Sequence, residues 1–151
     1  MGLPGSGKTT LAWALTERLG AVHLNGDEVR RTYSADLGFG LADRIKQARR
    51  MGRLVDEALQ DGAPVVIADF ICPTPECREA FGPAFVVLVD RPGHCRYADT
   101  LGMWVRPERA DVVIRRMGKV RAVDVIEAVW RGKAGEWAGN GLLPPSGTIL
   151  P

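Results

Sequence analysis

The sequence predicts an α/β fold built on a mainly parallel sheet, and three observations carry that prediction. Continuous apolar runs, typical of strands buried on both faces, occur at 65–68 and 85–89. Stretches with helical periodicity alternate with these runs. A glycine-rich loop at 2–7 comes just before the first of those helices. Strands that alternate with helices favour a parallel sheet with helices packed against it.

The first half of the chain shows two helical patterns with a short strand between them. Leucines recur every four residues from Leu11 to Leu19, which predicts a helix that ends at Gly20. Residues 21–24 read as a strand and are followed by a polar stretch up to Gly40. From Leu41 the apolar positions are spaced four and three apart as far as residue 59, which predicts a long helix packed along one side.

The second half adds strands and shorter helices. Thr74 followed by Pro75 predicts the start of a short helix between the two apolar strands. Residues 91–109 are polar and rich in arginine, without clear periodicity; we call them the lid region. A strand at 111–114 and a helix at 120–130 follow. The predicted domain therefore covers 1–131, and 132–151 is expected to be a loosely ordered tail rich in Gly and Pro.

Composition narrows the class of protein. The 151 residues, 46% hydrophobic and 25% charged, fit one soluble globular domain. No apolar run approaches the ~20 residues of a membrane span, and no signal peptide is visible. A formal net charge of +2 argues against a general nucleic-acid binder. Three cysteines without zinc-ligand spacing indicate reduced thiols, so we expect a cytoplasmic protein without a structural metal.

A loop near the start of the chain matches the nucleotide-binding pattern G-x-x-x-x-G-K-[ST] at every fixed position. Its glycines let backbone N–H groups turn towards phosphate oxygens, and the next helix points its N-terminus at the same anion. We expect Lys8 to contact the β- and γ-phosphates of ATP and Thr9 to offer its hydroxyl to Mg²⁺. The predicted ATP-binding residues are Gly2, Pro4, Gly5, Ser6, Gly7, Lys8, Thr9 and Thr10.

This loop predicts a three-layer P-loop kinase fold, with one departure. A P-loop normally follows a buried strand, and here only Met1 precedes the loop. We therefore expect a truncated first strand, a gap in the sheet, and a natural product that begins about six residues upstream.

Several further stretches, in order and spacing, resemble the adenylyl-sulfate kinase family, a P-loop family. The resemblance is good from residue 2 to about 90 and weak afterwards. The Asp-Leu-Gly-Phe block followed by Asp-Arg is much more specific than the phosphate loop. The matching pieces are Gly2–Thr10, Asn25-Gly26-Asp27, Arg30, Asp36-Leu37-Gly38-Phe39, Asp43-Arg44, Arg49-Arg50-Met51-Gly52 and Phe70-Ile71-Cys72-Pro73.

The resemblance implies transfer of the ATP γ-phosphate to the 3′-hydroxyl of adenylyl sulfate, with Mg²⁺ and with paired subunits. Asp27, beside Lys8 as the catalytic pair, would lie near the metal and the attacking hydroxyl. Arg30 and Arg44 would hold the sulfate–phosphate end, and Phe39 would stack on the adenine. Gln47, where the family has Asn, and Ile71 complete the expected acceptor site. The residues alone leave three alternatives open: a helix N-cap for Asp27, a solvated helix charge for Arg44 and a core position for Phe39.

Three positions besides Gln47 depart from the family pattern at the predicted site. Asn25 stands where the family usually has Asp. Cys72 replaces a Ser described as a phosphorylated intermediate, which favours direct in-line transfer. Asp69 follows four apolar residues and resembles a carboxylate that supports Mg²⁺ without touching it. The alternative for Asp69 is a strand-end carboxylate bonded to nearby backbone. His23 is expected to be a packed core histidine.

The lid region departs most from the family. Trp104 either takes over the stacking role of a family Phe or belongs to the core. Arginines in this region could supply charge to the transferring phosphoryl group, namely Arg91, Arg96, Arg106 and Arg109. His94 and Cys95 also lie here, without a third metal ligand. The altered lid leaves a second function open, a kinase for a nucleoside or sugar. The missing first strand and Cys72 leave a third open, a nucleotide-binding module without transfer activity.

Overall fold

The computed structural model describes residues 1–91, 97–115, 118–139 and 148–150. Every strand pairing in this part of the chain is parallel, and the strand order is β1-β2-β5-β3-β4. The parallel α/β fold predicted from the sequence is therefore confirmed. The elements are α1 (Lys8–Leu19), β1 (Val22–Asn25), α2 (Gly26–Thr32), α3 (Leu41–Gln60), β2 (Val66–Asp69), α4 (Pro75–Phe81), β3 (Phe85–Val89), α5 (Ala98–Met103), β4 (Val112–Ile114), α6 (Lys119–Gly139) and β5 (Thr148–Leu150).

Two apolar layers cover the two faces of the sheet. On one face, side chains of α1 and α6 such as Leu15 and Ile126 pack against Ile67 and Val87. On the other face, α3 and α4 pack against the sheet, and their close approach is possible because Gly52 lies directly against the backbone of Phe81. The result is a helix–sheet–helix sandwich, as in other open parallel sheets. Among the described residues, no helix combines the length and apolar character of a membrane span.

Several helix ends follow the local signals in the sequence. Gly20 ends α1 in the left-handed conformation, with φ of 61°. The Thr74 hydroxyl accepts a hydrogen bond from the backbone N–H of Cys77, and Pro75 takes the first position of α4. Two short helices, α2 and α5, were missed by the sequence analysis, since neither carries an apolar period.

The centre of the sheet differs from the expectation. Instead of a gap, β5 lies between β2 and β3, paired with both. Met1 extends the same line: its amino group donates to the Val87 carbonyl at 2.7 Å, and its carbonyl accepts from the N–H of Val89 at 2.8 Å. The segment expected to be a loose tail thus includes the end of α6 and a central strand. The pairing partners that make this strand possible are distant in sequence.

Candidate active site

The phosphate loop has the conformation that its glycines allow. Gly5 and Gly7 have φ of 78° and 91°, in the left-handed region that disfavours side chains. No side chain caps the N-terminus of α1, which leaves its first N–H groups able to bind an anion. A Cβ on Gly2 would lie 2.6 Å from the carbonyl oxygen of Val89, so only glycine fits against β3 there.

A cavity of about 690 Å³ opens beside this loop, at the carboxyl ends of β1 and β2. Open parallel sheets bind their ligands at this edge. The cavity unites residues from the phosphate loop, α2, α3, α5 and the segment after β2. Those predicted from the sequence are Pro4, Lys8, Thr9, Asp27, Arg30, Phe39, Arg44, Gln47, Asp69 and Ile71.

Asp69 is the buried carboxylate of the site. Its Oδ2 accepts a hydrogen bond from Asn25 Nδ2 at 3.0 Å and lies 3.7 Å from His23 Nε2. Burial acts to raise the pKa of Asp69, but His23, the Thr9 hydroxyl and the Lys8 ammonium outweigh it, so the pKa is lowered. Its second oxygen, Oδ1, is buried without a hydrogen-bond partner in the described part of the chain. The carboxylate is therefore ionised and has one oxygen available.

Asn25, and not Asp27, caps α2. The Asn25 side-chain oxygen accepts from the backbone N–H groups of Asp27 and Glu28, both at 3.1 Å. Asp27 itself lies in the first helical turn, exposed and lining the cavity. The N-cap alternative for Asp27 was therefore wrong, and its carboxylate does not cap the helix.

Arg30 and Phe39 form one wall of the cavity. The Arg30 guanidinium lies 4.8 Å from the centre of the Phe39 ring and donates to the Gly38 carbonyl at 2.6 Å. Burial, followed by the nearby charge of Arg44, lowers the pKa of Arg30. Phe39 is 62% exposed, so the core alternative for this residue was wrong. An exposed ring against two arginines is available to stack on a planar ligand.

Arg44 is buried, with its side chain only 8% exposed, so it is not a solvated helix charge. Its Nε donates to the Phe39 carbonyl at 2.8 Å. Its Nη2 donates to Asp99 Oδ2 at 3.0 Å and to Thr100 Oγ1 at 2.8 Å. The guanidinium therefore ties α3 to α5 across the cavity wall.

Gln47 lies one turn further along α3. Its Nε2 donates to the carbonyl of Gly26 at 3.3 Å, close to the start of α2. Its Oε1 is buried and has no partner among the described residues. Because a buried unsatisfied oxygen is costly, it is well suited to accept a hydrogen bond from a ligand in the cavity.

Cys72 follows β2 and lines the same cavity. It is the one described residue other than glycine with a positive φ, 48°, a strained conformation of the kind found near functional sites. Burial, followed by the neighbouring Cys77, raises the pKa of the Cys72 thiol to about 12. The thiol is thus protonated at neutral pH and a poor nucleophile.

The remaining predicted residues lie apart from the main cavity. Trp104 packs at the edge of the apolar layer that includes α3 and α4, which supports its core alternative. Arg106 forms an ion pair with Asp90 at 3.0 Å, and Arg109 is exposed. Arg91 approaches Gly7 and lines a second cavity of about 150 Å³ together with Thr10. Other residues named from the sequence, His94, Cys95 and Arg96, lie outside the described residues.

The structure gives His23 a second contact, and it adds to the cavity lining three residues that were not predicted. His23 is buried as expected, at 4.8 Å and nearly perpendicular to the Trp13 ring, but it also faces Asp69. Asp99 and Thr100 were not singled out, since an acid and a hydroxyl in an aperiodic stretch give no signal. Phe70 did give a signal, because it belongs to a stretch that resembles the family, but it was not among the predicted site residues. A Cβ on Gly26 would overlap the Cβ of Phe70, so glycine is required where α2 approaches β2.

Comparison with known proteins bears on this geometry. The family model described as adenylylsulphate kinase matches residues 1–114. The adenylyl-sulfate kinase of Shewanella sp. (strain ANA-3) is 37% identical over 123 residues, 74% of this chain and 60% of the relative. That of Paraburkholderia xenovorans (strain LB400) is 39% identical over 122 residues, 74% of this chain and 68% of the relative. The chain thus spans about three fifths of the length of the Shewanella protein.

Among solved structures, the Mycobacterium tuberculosis APS kinase CysC in complex with AMPPNP and APS is similar, with a TM-score of 0.72. At 24% identity, covering 87% of this chain and 94% of that one, this likeness establishes the P-loop kinase fold. The family itself rests on the sequence match, which includes the phosphate loop, α2, α3 and the strands beside the cavity. The chain belongs to the adenylylsulphate kinase family.

Proposed function

We propose that this chain is an ATP-dependent kinase that transfers the γ-phosphate of ATP to the 3′-hydroxyl of adenylyl sulfate. One observation supports this most: a single cavity is lined both by the phosphate-loop residues Lys8 and Thr9 and by the Arg30, Phe39 and Arg44 cluster. The first set suits the phosphates of a nucleoside triphosphate, and the second suits a planar base attached to an oxyanion. A phosphoryl donor and such an acceptor would then meet within one site.

Each residue has a proposed part in that reaction. The Lys8 ammonium would neutralise charge that develops on the transferred phosphoryl group. The exposed Asp27 carboxylate would orient the acceptor hydroxyl and accept its proton. Arg30 and Phe39 would position the acceptor, with Ile71 beside them in the cavity wall. Catalysis of this kind consists of positioning and charge neutralisation, and needs no covalent intermediate.

The residues present fit Mg²⁺, the proposed companion of ATP. Mg²⁺ prefers oxygen ligands, and the Thr9 hydroxyl and the buried, ionised Asp69 are of that type. The unpartnered Oδ1 of Asp69 supports a role in holding the ion, directly or through water. When bound, the ion would draw negative charge from the phosphate oxygens.

A coupled assay of ADP release with adenylyl sulfate tests the proposed reaction. Turnover is expected, and Lys8→Ala should reduce it by roughly a hundredfold or more. Lys46→Ala, a change at an exposed lysine of α3, is the matched control and should leave turnover intact. Binding of ATP without ADP release on adenylyl sulfate would rule out this acceptor, and a screen of nucleosides and sugars would then follow.

We further propose that the chain acts in the cytoplasm and as a homodimer. The free, buried thiols of Cys72 and Cys77 support a reducing compartment. The homodimer rests on family resemblance, and light scattering of the purified protein tests it. A monomer at micromolar concentration, active in the coupled assay, would contradict the dimer.

A further inference from the structure

The guanidinium of Arg44 already donates hydrogen bonds to protein groups in the cavity, so an acceptor must compete with them. An arginine offers an oxyanion two bidentate forks, one formed by Nε with Nη2 and the other by Nη1 with Nη2. Both forks need a hydrogen on Nη2. In the structure, Nη2 donates to Asp99 Oδ2 at 3.0 Å and to Thr100 Oγ1 at 2.8 Å. The first fork is closed as well by the bond from Nε to the Phe39 carbonyl at 2.8 Å. An oxyanion can therefore use only the Nη1–Nη2 fork, and only after one of the two Nη2 partners leaves.

Asp99 is the partner that can leave at the smaller cost. Its side chain is 50% exposed, whereas Thr100 is buried. A half-exposed carboxylate that separates from its partner regains hydration, and such ion pairs contribute little to stability. The buried Thr100 hydroxyl would instead lose its hydrogen bond without replacement. Displacement by an incoming anion therefore falls on Asp99.

The charge of Asp99 acts in the same direction. Asp99 and Arg44 both line the cavity, and the carboxylate neutralises the guanidinium from within it. An anionic acceptor is therefore attracted less strongly by Arg44, and it is also repelled by the Asp99 carboxylate. A device of this kind lowers the affinity for the acceptor and discriminates against anions that bind through Arg44 alone.

We propose that Asp99 is a specificity-determining residue, which competes with the anionic end of the acceptor for Arg44. The inference rests on the proposed kinase function, because it assigns the acceptor's oxyanion to Arg44. Asp99 acts through Arg44 and does not take part in the chemical step. It sets the concentration of acceptor needed to fill the site, and the turnover number of the filled site is independent of it.

Steady-state kinetics of Asp99→Asn test this inference. The variant keeps the shape and removes the charge, so the KM for adenylyl sulfate should fall by about twofold to fivefold. The kcat and the KM for ATP should stay within about twofold of the wild type, a split that a merely structural effect would not produce. Asp99→Ala, which also removes the hydrogen-bond acceptor, should lower KM in the same direction.

Asp124→Asn is the matched control. Asp124, in α6, is 54% exposed and pairs with Arg18 of α1 at 2.8 Å. These two helices cover the face of the sheet opposite to the one that α3 covers. The control variant should leave both KM values unchanged. An unchanged or higher KM for adenylyl sulfate in both Asp99 variants, in protein with native unfolding temperature, would overturn the proposal.

A binding measurement separates this proposal from the proposed function. Inorganic sulfate is titrated into wild type and Asp99→Asn with the phosphate loop saturated by a non-hydrolysable ATP analogue. The variant should bind sulfate several-fold more tightly. If adenylyl sulfate is not turned over but this difference is seen, the acceptor is wrong and Asp99 keeps its role. If turnover is seen and sulfate binds both proteins equally, the role of Asp99 is refuted.

Discussion

Asn25 and Asp69 lie opposite each other in register at the carboxyl ends of β1 and β2, joined by a hydrogen bond of 3.0 Å from amide to carboxylate. The resemblance to the kinase family leads one to expect Asp at 25, so the sequence shows a carboxylate missing there. The parallel pairing supplies one from the neighbouring strand. An Asp at 25 would instead set two carboxylates against each other.

An exchange of these two groups tests the relationship. We expect Asn25→Asp and Asp69→Asn each to lower the free energy of unfolding, because the first creates repulsion and the second removes a charge-assisted hydrogen bond. The double variant again places one carboxylate opposite one amide. Its loss should be smaller than the sum of the single losses by about 0.5–3 kcal/mol in urea unfolding. Additive losses would show that the two side chains do not interact.

Asp69 should also matter for the metal-dependent part of nucleotide binding. Asp69→Asn keeps the size of the side chain but removes the charge near Thr9 and Lys8. We expect the affinity for ATP to fall by roughly 10–100-fold when Mg²⁺ is present. Isothermal titration measures this, and the same titration in EDTA is its control. An equal loss with and without Mg²⁺ would contradict a role in holding the ion.

Gln47 should act on the acceptor and not on ATP. Gln47→Ala removes the buried, unpartnered Oε1 and the hydrogen bond to Gly26. We expect the KM for adenylyl sulfate to rise about tenfold, the usual effect of one lost hydrogen bond in a site, and the KM for ATP to stay constant. Lys46→Ala, one residue away and exposed, is the control. A parallel rise in both KM values would point to general damage.

Gly52 should be essential to the packing of α3 on α4. A Cβ there would overlap the carbonyl of Phe81, so Gly52→Ala should lower the free energy of unfolding by roughly 1–3 kcal/mol. Gly102, in α5, has open space where its Cβ would be. Gly102→Ala should therefore be neutral or stabilise by up to about 1 kcal/mol. Urea denaturation of both variants measures the contrast, and equal effects would refute the close approach.

The Cys72 thiol should be inert in the folded protein. Its pKa, raised to about 12 by burial, leaves almost no thiolate at pH 8.5, since the protonated form dominates below the pKa. Iodoacetamide should modify the Cys72 peptide only after unfolding, as read by mass spectrometry. Cys72→Ala should retain turnover on adenylyl sulfate. Rapid labelling of the native chain at pH 8.5 would contradict this environment.

Local patterns sufficed for much of the fold. The leucine period of α1, the spacing along α3 and the Thr74–Pro75 start of α4 each reflect interactions within one helix or one amphipathic face. The helix α2 was missed because its one large apolar residue, Val29, cannot by itself show a period. Its N-cap, Asn25, is a residue type that favours helix starts, but the polar stretch after it carries no apolar period. The helix α5, with six residues, has too few turns to show a period.

Short segments of the sequence were enough to predict the phosphate loop, the alternation of strands and helices, and Arg30, Phe39 and Arg44 as acceptor residues, because each depends on chemistry or spacing within one segment. The position of β5 between β2 and β3, the pairing of Asn25 with Asp69 and the bond from Arg44 to Asp99 follow from the folded arrangement. These relationships join residues from 44 to 82 positions apart. Strand pairing and packing bring such residues together, and no local pattern records that.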